Sequence, residues 1–118
     1  MENDSRKYPR FKVINWPATI LTEENSIDGI VRNLGCKGAY IYYHQPHEYA
    51  VPLRLHSQVA LVIRVPDRLP LLIHAKVAWS DIMSSDEKNT LVGVGVRFTD
   101  IFYEDRQFLR DMVKKYSR

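Results

Sequence analysis

Leu71-Leu72-Ile73-His74-Ala75-Lys76-Val77-Ala78-Trp79 carries the clearest structural signal in the chain. Leu71, Ile73, Ala75, Val77 and Trp79 occupy every second position, with His74 and Lys76 between them. Side chains of an extended segment point alternately to opposite faces, so this is the pattern of a half-buried β-strand. On that count Trp79 is an inward, core-packing position, the alternative being a place beside a bound ligand. Downstream, Val92, Val94, Val96 and Phe98 repeat the alternation after Ser84-Ser85-Asp86-Glu87-Lys88-Asn89, a polar stretch that reads as a hairpin loop. Upstream, Leu55, Val59, Leu61, Ile63 and Val65 mark a long strand, closed by the turn Asp67-Arg68-Leu69-Pro70. Three shorter β-rich runs come before it: Pro17–Leu21, Ile27–Arg32 and Gly38–Tyr43. Six strands with hairpin connections predict a mostly β fold, a closed antiparallel barrel in which no sheet edge stays exposed.

The period changes near the C-terminus. Phe108, Leu109, Met112, Val113 and Tyr116 share one helical face, with Glu104 and Asp105 in the first turn and Lys114 and Lys115 in the last. That charge arrangement complements a helix dipole and predicts an α-helix over 103–116, packed on the barrel as a structural lid. The 118 residues fit a single domain, 1–118, in which 1–12 form a flexible N-terminal arm. Cys36 is the sole cysteine, which rules out an internal disulfide framework and suits a reducing cytoplasm. No apolar run is long enough to span a bilayer, and Met1–Ser5 lack signal-peptide character, so a cytoplasmic protein without membrane insertion is expected. The net charge of +3 suits a small anionic ligand and is too mild to argue for nucleic-acid binding.

Two short motifs carry the chemistry. Arg6-Lys7-Tyr8-Pro9-Arg10 places two guanidiniums four residues apart on a Pro-stiffened arm. A guanidinium fork matches a phosphate, or the O6/N7 edge of guanine, in two parallel bonds. After 22 intervening residues, Asn33-Leu34-Gly35-Cys36-Lys37-Gly38 offers a side-chain amide and a glycine turn that a ligand can approach closely. Read alone, the first is also a solubilising arm and the second a hairpin turn with backbone needs only. His44 and His47 lack the further ligands a zinc site requires, so neither a metal site nor a cofactor is expected. Cys36 has no base that the sequence places beside it, and no acid–base pair stands out, so an enzyme is not expected.

Together these residues resemble the PilZ domain family, bacterial receptors for cyclic di-GMP, whose motif is Arg-x-x-x-Arg followed some 20 to 30 residues later by Asp/Asn-x-Ser-x-x-Gly. Arg6 and Arg10 match its first part, Asn33 and Gly38 the ends of its second, and Gly35 stands where the family usually has serine. Val77-Ala78-Trp79 and the closing run Gly93-Val94-Gly95-Val96-Arg97-Phe98 extend the resemblance over nearly the whole chain. It implies a PilZ-type barrel with a ligand site at Arg6, Arg10, Asn33, Gly35 and Gly38. The arginines would grip phosphate and guanine, and Asn33 a guanine edge. It also implies a receptor that passes its state to an unidentified downstream protein as the arm orders over the ligand. The alternative it leaves is a PilZ-fold interaction adaptor with weak or lost nucleotide binding.

Overall fold

The computed structural model describes residues 10–46 and 52–116. Six strands and one helix follow in order: β1 (Arg10–Leu21), β2 (Ser26–Gly35), β3 (Gly38–Pro46), β4 (Gln58–Ile63), β5 (Leu71–Ser85), β6 (Asn89–Ile101) and α1 (Tyr103–Tyr116). The strands form a closed antiparallel barrel in the order β1-β2-β3-β6-β5-β4, as the alternating sequence predicts. β5 runs further than its apolar core suggests, because cross-strand pairing with β6 continues through its exposed polar end. Thus Ser84 and Ser85 still belong to β5, and the loop proper is Asp86–Lys88. There the Asp86 carboxylate accepts the backbone N–H groups of Lys88 and Asn89. At the other extreme, Leu55 is exposed in a turn rather than in β4, beside His56 at φ 65°.

Inward positions of every strand fill the barrel, among them Ile20, Val31, Ile41, Leu61, Val77 and Val94, all essentially without solvent contact. Recognition must therefore happen on the outside. The helix behaves as the lid its stripe predicts. Leu109 is fully buried against the end of the barrel, and the Tyr116 ring lies 6.3 Å from Phe11 of β1. Arg68, from the β4–β5 connection, pairs with the Asp105 carboxylate at 2.9 Å and lies 4.3 Å over the Phe108 ring. Among the described residues no helix is long and apolar enough to cross a membrane.

Candidate functional site

β1 begins at Arg10, so the last three residues of the expected arm are paired backbone: Arg10 faces Gly35, Phe11 Leu34 and Lys12 Asn33. Phe11 explains this, since its ring is buried in the core and pulls the chain onto β2. Arg6 and Pro9 lie outside the described residues. The expected Asn33–Gly38 turn is also narrower than its composition suggests. Asn33, Leu34 and Gly35 complete β2, Gly38 opens β3, and only Cys36 and Lys37 connect them. No glycine here has positive φ, so Gly38 is not needed for backbone freedom. Its role is space. A Cβ there would collide with the Val96 carbonyl oxygen and stand 3.2 Å from Arg10 Nη2.

Arg10 accordingly lies across Gly38 while its Nη1 donates to Asn33 Oδ1 at 3.4 Å. The fold thus gathers four of the five expected site residues, Arg10, Asn33, Gly35 and Gly38, at the joined ends of β1, β2 and β3. Cys36 is partly buried and packs against the core.

Next to this group runs a row of side chains that regular alternation does not reveal. Asn33 pairs with Tyr40, Tyr40 with Gly95, and Gly95 with Trp79, across four neighbouring strands. Val94 and Val96 point inward, so Gly95 presents its bare face outward, and Trp79 lies over it. The inward reading of Trp79 is therefore corrected. A bulge between Val77 and Trp79 shifts the phase of β5 by one residue and turns the indole out of the core. The Tyr40 ring meets Trp79 edge-on at 4.7 Å between centroids, and Tyr42 meets Tyr40 edge-on at 4.9 Å. Arg32 sits 5.2 Å over the Tyr42 ring. Burial raises the Tyr40 phenol above its ordinary range, reinforced by the Tyr42 hydroxyl, so Tyr40 remains a proton donor.

The result is an open platform with a guanidinium–amide pair at one side and three aromatic rings across it. Exposed Lys12, Arg32 and Arg97 add positive charge around the rim. A surface hollow of about 330 Å³ lies away from it, between Leu21, Val62, Leu72 and Phe102, with no arginine or lysine in its lining. His44 is exposed, His47 lies outside the described residues, and no metal-binding cluster occurs among the described ones.

The sequence profile of the PilZ domain matches residues 4–115. The chain belongs to the PilZ family. Solved PilZ-fold structures agree with the architecture. The PilZ domain of YcgR from Escherichia coli, solved with c-di-GMP, superposes at a TM-score of 0.73 with 12% identity, covering 96% of this chain and 92% of that one. Bacillus subtilis MotI/DgrA, an inhibitor of motility, gives 0.72 with 18% identity, over 96% of this chain and 51% of its own. The K. pneumonia MrkH–c-di-GMP complex gives 0.71 with 12% identity, over 96% and 52%. At these identities the likeness is one of fold, and the chain spans about half the length of MotI and MrkH. No curated protein matches the sequence.

Proposed function

We propose that this PilZ domain binds cyclic di-GMP on the outer face of its barrel and passes its occupancy to a protein partner. The observation that carries the reading is the placement of Arg10, bonded to Asn33 and lying over Gly38, beside the row of Tyr40 and Trp79. The Arg10 fork offers parallel donors to a phosphate or a guanine edge, and Asn33 adds an amide within its reach. Trp79 supplies a flat surface on which a base stacks, worth about 1–3 kcal/mol, and Tyr40 stands edge-on beside it. Arg6 completes the grip from the N-terminal segment. Closing that segment over the ligand orders it, and the altered surface is what a partner reads.

One residue favours a weaker receptor, or the adaptor reading. Gly35 lacks the hydroxyl that serine would offer a phosphate, a loss of about 1–2 kcal/mol, or roughly five- to thirtyfold in affinity. Titration calorimetry with cyclic di-GMP tests the proposal. Saturable binding is expected, weakened about tenfold to a hundredfold by Arg10→Ala and lost in the Arg6→Ala/Arg10→Ala variant with the barrel still folded. Gly35→Ser is expected to tighten it. Absence of binding by the folded wild type and by Gly35→Ser alike would leave the adaptor.

A further inference from the structure

Gly95 and Gly93 are buried although they point away from the core. What covers them is the platform itself. A Cβ built on Gly95 has three nearest neighbours, all of the Trp79 indole, with Nε1 closest and Cδ1 and Cε2 at 2.7 and 2.8 Å. A Cβ on Gly93 would stand 3.1 Å from Met83 Cγ and Sδ and 3.2 Å from the Tyr40 hydroxyl. Real Cβ atoms do not approach other atoms at the first set of distances, so the indole could not stay where it is. Neither glycine has positive φ, so backbone conformation does not demand them. Gly95 is demanded by what lies on top, whereas at Gly93 Met83 and Tyr40 would have to give by a few tenths of an ångström.

We infer that Gly95 is a positioning residue for nucleotide binding: by carrying no side chain, it lets the Trp79 indole lie down on β6 beside Tyr40 and so sets the height and tilt of the base-stacking surface. This deepens the proposed receptor function and rests on that reading for its ligand. Gly93 does the same in a lesser degree for Tyr40 and Met83, whose Sδ is 3.8 Å from the Tyr40 hydroxyl. Trp79 and Tyr40 are both paired to Gly95 in register, one on each side. A side chain there lifts the indole and separates it from the Tyr40 edge. Stacking falls off over a fraction of an ångström, because dispersion contacts do.

The test is Gly95→Ala, read by Trp79 emission without ligand in a Trp16→Phe background, and by cyclic di-GMP titration. The expected result is a shifted Trp79 emission and at least a tenfold loss of affinity in a variant that keeps its far-ultraviolet circular dichroism. In a Trp79→Ala background the same Gly95→Ala change is expected to cost less than twofold, since it acts through the indole. An unchanged emission, or an equal affinity loss in both backgrounds, overturns the inference. Should Gly95→Ala fail to fold, the Gly95→Ala/Trp79→Ala double variant is expected to fold, because the three atoms nearest the new Cβ all belong to the indole; if it does not, the inference also fails. The ligand-free emission separates the two readings. If Gly95→Ala shifts the Trp79 emission but the Gly95 protein binds no cyclic di-GMP, the receptor reading fails and Gly95 remains the positioner of the indole.

Discussion

At the scale of single residues, the platform is defined as much by missing side chains as by those present. Gly38 makes room for Arg10, and Gly95 makes room for Trp79. Tyr40 sits between the two groups, paired to Asn33 on one strand and to Gly95 on the next. Its burial favours the neutral phenol, and burial does the same for Tyr43 inside the barrel. Since both groups hold their protons more tightly folded than unfolded, they make stability no more pH-dependent below about pH 10. Above it the unfolded chain releases those protons first, and stability falls by up to about 1.4 kcal/mol per pH unit for each tyrosine. Denaturant unfolding across alkaline pH is expected to show this decline, with a shallower slope for Tyr40→Phe. An identical slope for that variant would mean that Tyr40 titrates as an ordinary phenol.

At the scale of elements, the helix depends on one charged contact as well as on its apolar stripe. Asp105 is buried and Arg68 only partly so. Arg68→Ala leaves a buried carboxylate unpaired and uncovers the Phe108 ring, a cost of about 2 kcal/mol. Asp105→Asn frees an arginine that can turn to solvent, so about 1 kcal/mol is expected. Thermal unfolding of the two variants checks that order, and a larger loss for Asp105→Asn would refute it. The helix itself was legible in the sequence, because its stripe and end charges agree. So were the strands, wherever the ladder is regular. Two things were not. Counting by twos assumes an unbroken ladder, so the bulge at Val77/Trp79 sent Trp79 to the wrong face. A signal of the true orientation was present in Val92-Gly93-Val94-Gly95-Val96, where a bare outer face on β6 implies that something lies upon it. The Asn33–Gly38 stretch looked like a loop because its glycines were read as turn formers, whereas Gly38 serves close approach.

At the scale of the whole molecule, closure of the barrel is uneven. β5 and β6 share eleven register pairs, from Ile73–Ile101 to Ser85–Thr90, but β1 and β4 share four, from Ala18–Ile63 to Leu21–Ala60. Amide groups along the β1–β4 seam are expected to exchange with solvent faster than those in the centre of β5–β6, because opening the shorter seam breaks fewer contacts. Hydrogen-exchange mass spectrometry reads this directly, and equal protection in both places would mean that the barrel opens only as a unit. The seam lies away from the aromatic platform, which rests on the better-paired side of the barrel. The bulge in β5 also bears on how such a chain tolerates editing. Val77 faces Val96 and Trp79 faces Gly95, so Ala78 is the surplus residue between them. Deleting its codon would make the ladder regular at that point, with the indole still outside. Deleting a residue from the unbroken β3–β6 ladder would exchange Tyr40 and Ile41 between surface and core. Met83 is surplus in the same way, between Ile82 and Ser84, so length variation in descendants of this sequence should collect at positions 78 and 83 and be purged from β3.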